Sequence, residues 1–425
     1  MKRLGWMLLA LAFSVSATAA DLREAPADEV GMSAERLDRI TAMAQGYVDE
    51  GKLAGVITLV ARDGAIVHYE AVGNRGVNDD RPLEKDALFR IFSMTKPITA
   101  VAAMILYEEG KFQLSDPVSK FVPEFENLTV LGDDGVIRPA ENEMTMQQLL
   151  SHTTGLSYGF NPADAVDQRY QAAELWSSKD LDELTEKIAA MPLKFEPGAQ
   201  WHYSVAVDIT GVVVERISGQ TFDVFLKERI FDPLGMEDTF FNVPEDKRDR
   251  FLPNHTWDAE NETLVQTGSD EDVFVGYTNT TLFSGGGGLV STTMDYLRFC
   301  EMLRRGGELD GVRILGPKTV AYMATDHLPG AINAGGAGER PADALLGNGF
   351  GFGLGFGIVT DPVAARVMGS AGEYNWGGAA GTVFWIDPVE DLIVIGMIQL
   401  MGSPWPLRAE MKTLTYQSLT DLQAP

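Results

Sequence analysis

Ser93-Met94-Thr95-Lys96 places a hydroxyl and an amine three residues apart. Residues i and i+3 share a helix face, so a helix starting here brings Lys96 Nζ within reach of Ser93 Oγ. A serine hydroxyl is a poor nucleophile until a neighbouring base takes its proton, and an unprotonated lysine can be that base. The flanks support such a helix. Ala87 to Phe92 is mostly apolar, and Pro97 falls in a first turn, where its missing N–H costs nothing. Ile98, Val101, Ala102, Ile105 and Leu106 then recur at helical spacing, and Gly110 closes the run. The N-terminus of that helix aims backbone N–H groups at negative charge developing beside Ser93. S-x-x-K by itself arises often by chance, so the rest of the chain decides its weight.

Four other segments bear on that chemistry. Tyr203 follows a Pro197-Gly198 turn and precedes a helix; a tyrosine beside a lysine can shuttle a proton. Taken alone, it reads as a half-buried packing residue. Glu373 to Gly381 carries Trp376-Gly377-Gly378-Ala379, whose small residues on an edge strand would let substrate approach the backbone and leave an N–H for an oxyanion; taken alone, the stretch reads as a glycine-rich turn leading into a hairpin. His152 reads as a residue that ends a helix and orders a loop. Gly285 to Gly288 reads as tight packing before a helix capped near Thr292. A decoy also occurs. Gly155-Leu156-Ser157-Tyr158-Gly159 matches G-x-S-x-G, but that elbow needs a strand before its serine, whereas Thr145 to Leu150 reads as helix. Cys300, the single cysteine, falls in an amphipathic run and reads as core, with no disulfide to form.

The elements that position these groups come from both chain ends. Ser33 caps a helix running to about Gly51, and two strands, 55–61 and 65–72, are joined at Asp63-Gly64. Strand patterning returns at 351–359, 383–387 and 392–400, followed by a helix over about 407–422. Between them the chain is loop- and helix-rich, with helices near 207–217 and 222–230. The segment between Asp326 and Phe350 is rich in glycine and reads as a surface loop. The pattern predicts an α+β fold, an antiparallel sheet flanked by helices with an inserted helical domain. The expected division is a sheet domain over 21–92 and 286–425, and a mainly helical domain over 93–285.

In this order the motifs resemble the serine β-lactamase and penicillin-binding-protein superfamily, specifically its class C branch and the family VIII carboxylesterases. Ser93 to Lys96 is similar to the S-x-x-K motif, Tyr203-Ser204-Val205 to Y-x-N, and Trp376-Gly377-Gly378 to K-T-G. The resemblance implies that Ser93 is acylated and that Lys96 and Tyr203 share the proton relay, with either as first base. It also implies an oxyanion hole made by the N–H groups of Ser93 and Ala379. Two departures matter. Trp376 stands where lactamases and peptidases carry a lysine that pairs with a substrate carboxylate, and Val205 where they carry an asparagine. Their loss weakens the case for β-lactam or D-alanyl-D-alanine substrates. Trp376, Gly377, Gly378 and Val205 are expected to line a neutral pocket. The expected function is hydrolysis of carboxylic esters with short or medium acyl chains. The alternatives are a β-lactamase or D-amino-acid peptidase, or an inactive binding protein of the same fold.

Composition sets outer limits. The chain has 425 residues, 45% hydrophobic, and a formal charge of -27. That acidity argues against nucleic acid and anionic membranes as partners. Lys2 and Arg3, the apolar run from Leu4 to Val15, and Ala17-Thr18-Ala19 read as a signal peptide cleaved near Ala19 or Ala20. The run is too short for a membrane anchor. The expectation is an exported protein, periplasmic or secreted, needing no cofactor or metal and acting on a small-molecule ester.

Overall fold

The computed structural model describes residues 22–132, 134–269, 272–328 and 346–423. The expected signal segment, and much of the glycine-rich stretch before Phe350, lie outside them.

Nine strands among the described residues form one sheet. In chain order, the elements that frame the site are β1 (Arg23–Glu24), α1 (Ala34–Asp49), β2 (Gly55–Arg62), β3 (Ala65–Gly76), β4 (Asp79–Pro82), α2 (Thr95–Glu108), α3 (Ala206–Ser218) and α4 (Thr293–Arg304). They continue with β5 (Phe350–Phe352), β6 (Gly357–Val359), β7 (Tyr374–Gly377), β8 (Val383–Asp387), β9 (Leu392–Met397) and α5 (Leu407–Tyr416). The strand order is β1-β3-β2-β9-β8-β7-β6-β5, with β4 on β3. The β2–β9 pairing, antiparallel over Arg62 to Ile57, stitches the two chain ends together.

Local chemistry sets the first elements. The Ser33 side chain accepts from the Arg36 amide and caps α1. Asp63 and Gly64, at φ 53° and 73°, make the tight turn whose twist suits a hairpin between β2 and β3. Both faces of the sheet are covered. On one side Val56, Val60, Val394 and Trp385 pack with Leu37 and Ile40 of α1 and Met411 of α5. On the other, Ile57, Leu59 and Ile395 join the larger core with α2 and α4. This double burial explains why β2 and β9 read as continuous apolar runs. Helix α2 is buried along its length from Thr95 to Leu106, which fixes the Ser93 turn at its N-terminus against the centre of the molecule.

Near the site three elements differ from expectation. Residues 351–359 form two strands, β5 and β6, because the chain turns at Gly355 (φ 98°). Residues 374–377 form a strand, where the glycines alone suggested a turn. It lies inside the sheet, yet β6 pairs only with Tyr374 and Asn375. Among the described residues, that side of β7 has no strand partner from Trp376 onward, so the edge character expected here is local. Helix α5 ends at Tyr416 rather than near 422. The chain after it returns to the sheet, where buried Arg62 binds Asp421, Glu390 and the carbonyls of Val30 and Gly31.

Candidate active site

Ser93 stands in a single 3-10 turn, Phe92–Met94, immediately before α2. The preceding residue, Phe92, has φ 42°, a left-handed conformation that costs energy for a bulky side chain and presents the serine at a sharp bend. The surroundings hold it there. Thr382 Oγ1 donates to the Ile91 carbonyl (3.3 Å), and a Cβ on Gly378 would come 2.5 Å from that same oxygen. Only glycine allows the loop after β7 to lie this close to the serine turn.

Three of the expected groups meet at one atom. The Tyr203 hydroxyl donates to Ser93 Oγ at 2.7 Å, and Lys96 Nζ lies 3.2 Å from the same oxygen. Nζ also donates to the Gly286 carbonyl at 2.6 Å. Among the described residues no carboxylate forms an ion pair with Lys96; the rings of Tyr203 and Tyr158 lie 4.5 and 5.0 Å from Nζ. The serine proton therefore has two basic atoms in reach, an arrangement suited to nucleophilic catalysis.

The two residues whose amides are expected to form an oxyanion hole border the same cavity. Ser93 N–H belongs to the first turn of a helix, where such groups lack intrahelical acceptors. Ala379 is exposed in the loop after β7, and among the described residues no acceptor takes its amide. Ser93, Tyr203, Trp376, Gly377, Gly378 and Ala379 all line one cavity of about 480 Å³. Its rim is aromatic. Phe160, 62% exposed, stacks on Tyr158 at 5.1 Å, and Trp176 continues the stack.

Trp376 does more than line the wall. Its indole N–H reaches the Tyr203 hydroxyl (3.4 Å) and its ring packs at 5.5 Å from the tyrosine ring. The residue that departs from the lysine of K-T-G thus holds the proton-relay candidate. Val205 is placed differently from expectation. It is fully buried ahead of α3, packed in the main core, and does not line the cavity, because the chain turns inward into that helix.

Sequence reasoning missed a second layer. Asp208, fully buried on the first turn of α3, accepts from the Gly286 amide (3.0 Å), from Ser284 Oγ (2.5 Å) and from the Tyr158 hydroxyl (3.0 Å). It fixes the loop whose carbonyl receives Lys96 and the ring that lies beside it. A Cβ on Gly286 would fall 2.5 Å from the Tyr158 oxygen, so that glycine is there for close approach. Burial, with the Asp208 charge, pushes the Tyr158 phenol far above its ordinary range and keeps it a donor. The glycine run was visible, but its carbonyl's partner lies 190 residues away along the chain.

His152 and Ser157 are structural. His152 ends its helix at φ 56°, and its Nδ1 shares hydrogen-bond distance with Ser204 Oγ (3.2 Å). Burial, assisted by Lys96, lowers its pKa well below the ordinary imidazole value. Ser157 is fully buried, donates to Asp167 (2.5 Å) and neighbours His202 Nε2 (3.3 Å). Cys300 is buried, as its setting in the sequence indicated.

The β-lactamase family model matches residues 40–414. The chain belongs to the β-lactamase family. Esterase EstB of Burkholderia gladioli is 31% identical over 395 residues, covering 89% of this chain and 94% of that protein. The lovastatin esterase of Penicillium rubens is 32% identical over 381 residues, covering 84% and 91%. Among solved structures, EstCE1, described as a hydrolase with promiscuous acyltransferase activity, aligns with TM-score 0.77 at 26% identity. That alignment covers 90% of this chain and 99% of the other. This member of the family is a serine hydrolase of β-lactamase fold, with esterases among its relatives.

Proposed function

We propose that this chain hydrolyses carboxylic esters through an acyl-enzyme on Ser93. The observation that carries the reading is the convergence of Lys96 Nζ and Tyr203 OH on Ser93 Oγ at the end of an aromatic-lined cavity. Ser93 Oγ attacks the ester carbonyl carbon while its proton passes to Lys96 or Tyr203. The N–H groups of Ser93 and Ala379 receive the developing oxyanion. Collapse breaks the acyl–oxygen bond, the relay returns the proton to the departing alcohol, and Ser93 keeps the acyl group. Water, deprotonated by the same relay, then attacks the acyl-enzyme and releases the acid. A cavity of about 480 Å³ suits short and medium acyl chains.

Trp376 supports an ester over a β-lactam, because it sets an indole rather than a cation beside Tyr203. The names of EstB and lovastatin esterase point the same way. The test is to offer p-nitrophenyl butyrate and a chromogenic cephalosporin to one preparation. Ester cleavage far above lactam cleavage is expected; fast lactam turnover with negligible ester cleavage would make the protein a β-lactamase instead. Export by residues 1–20 belongs to the same proposal and is tested by cell fractionation.

A further inference from the structure

Among the described side chains, only two of the phenylalanines and tryptophans stand exposed, Phe160 and Trp176, and both meet the same tyrosine. Their rings lie nearly parallel to that of Tyr158, at 19° and 29°, with centroids 5.1 and 6.1 Å away. Tyr158 in turn packs 5.2 Å from Tyr203, whose hydroxyl donates to Ser93 Oγ. A ladder of rings therefore runs from the proton relay out to water, and Phe160 borders the reaction cavity. Exposed aromatic surface continuous with a cavity marks a place where a ligand covers it.

The backbone holds the two outer rings where they are. Phe160 stands between residues tied back on both sides: Gln171 Nε2 donates to the Gly159 carbonyl (2.7 Å), and the Asn161 amide donates to Asp167 Oδ2 (2.9 Å). Gly159, at φ 78°, lies so close to the neighbouring helix that a Cβ there would come 2.9 Å from Tyr170 Cβ. The buried Ser157 belongs to the same scaffold, since its Oγ accepts from the Gly159 amide (3.1 Å). Trp176 sits in the 3-10 turn Leu175–Ser177, which buried Leu175 anchors. That turn is entered through Glu174 at φ 47°, a conformation that costs energy for a residue with a side chain. Asp208 fixes the middle ring through its hydroxyl (3.0 Å). Two turns thus keep large apolar rings in water, preorganised, at a cost in exposed surface that a bound ring removes.

We propose that Phe160, Tyr158 and Trp176 form a subsite for a planar aromatic ring on the alcohol half of the ester. The proposal rests on ester hydrolysis at Ser93 and names the class of ester. The departing alcohol oxygen must lie beside the group that returns its proton. Lys96 and Tyr203 supply that proton, and the ladder begins at Tyr203, so the alcohol half lies along it. Two ring steps, of 5.2 and 5.1 Å, separate Tyr203 from Phe160, so a short spacer joins the substrate ring to the ester oxygen. Flat rings stack offset or edge-to-face through their quadrupoles, a preference that a saturated ring of the same size does not share.

The test compares naphthylethyl acetate with decahydronaphthylethyl acetate, two esters with leaving alcohols of the same kind and similar bulk. In the wild type kcat/KM is about fivefold higher for the aromatic ester. Phe160→Leu brings the ratio to about one, and Trp176→Leu lowers it less, because Trp176 does not border the cavity. The ratio cancels any loss shared by both esters. A wild-type ratio near one, or a ratio unchanged by Phe160→Leu, overturns the proposal. So does a preference confined to a ring on the acyl half, read with methyl naphthylbutanoate and its decahydro analogue. If neither acetate is cleaved while ethyl butyrate is, the proposal also falls. If ethyl butyrate is untouched as well, hydrolysis at Ser93 fails separately, and calorimetric titration of naphthylethanol into the protein, with and without Phe160→Leu, decides. Binding weakened about threefold or more upholds the subsite. Equal binding, or none, refutes it.

Discussion

Two serines in this chain keep company suited to hydrolysis, and they differ in access and in where their protons can go. Ser157 has His202 and Asp167 beside it, the residue types of a catalytic triad. Its hydroxyl donates straight to the carboxylate and accepts from the Gly159 amide (3.1 Å), while Lys194 neutralises Asp167 at 2.7 Å. No surface of Ser157 is exposed, and it is not among the residues that line the cavity at Ser93. Ser93 instead ends a cavity, at a strained bend, with a lysine nitrogen and a phenol oxygen on its Oγ and amides nearby for an oxyanion. The comparison teaches that residue identity is the weaker criterion. A nucleophile needs a proton acceptor that is not already saturated, and a path for substrate.

The largest effect should come from removing each hydroxyl in turn. Ser93→Ala is expected to lower kcat/KM for p-nitrophenyl butyrate by about 10³-fold or more, roughly 4 kcal/mol of transition-state stabilisation, with little change in Tm. Ser157→Ala should leave kcat within a fewfold and cost about 1–3 kcal/mol of stability, because it strands buried partners. The reverse pattern in steady-state kinetics and thermal unfolding would exchange the roles of the two serines.

Next in size is Lys96→Arg. Arginine stays charged and cannot take the serine proton, so the acylation burst in stopped-flow should fall by about 10²-fold or more. A burst near the wild-type rate would leave Tyr203 as the base and reduce Lys96 to an electrostatic neighbour.

The smallest effect lies between the two serines. The His152 ring packs 4.9 Å from Tyr203, and its carbonyl accepts from the His202 amide (2.9 Å). Because its folded pKa is depressed below the unfolded value, its contribution to stability is whole above about pH 6.5 and is lost as pH falls. Replacement by asparagine, which tolerates the positive φ, should flatten the decline of Tm between neutral and mildly acidic pH. An identical slope in wild type and variant would show that His152 does not titrate on unfolding.

How much of this was legible in the sequence follows from range. Ser93 and Lys96 are three residues apart, so helical geometry alone brought them together. The hairpin at Asp63-Gly64 and the cap at Ser33 are equally local and were readable for the same reason. Tyr203 and the glycine-rich stretch at Ala379 stood out by residue type, but only family resemblance tied them to Ser93, since Tyr203 reaches it across 110 residues. Asp208 and Tyr158 were missed because a buried carboxylate on an apolar helix and a tyrosine in a decoy motif carry no local signature. Strand β7 was misread because its glycines signal turns, while its pairing with β8 over Tyr374 to Gly377 depends on partners later in the chain. Val205 was assigned to the cavity by its place in a motif, and the inward start of α3 takes it into the core.

The central claim is that Ser93, and not Ser157, forms the covalent intermediate. Incubation of the folded protein with a fluorophosphonate, followed by peptide mass spectrometry, tests it most directly. A single adduct on Ser93, absent from Ser93→Ala and retained in Ser157→Ala, is the predicted result. An adduct on Ser157, or a reactive protein with Ser93 unmodified, would contradict it.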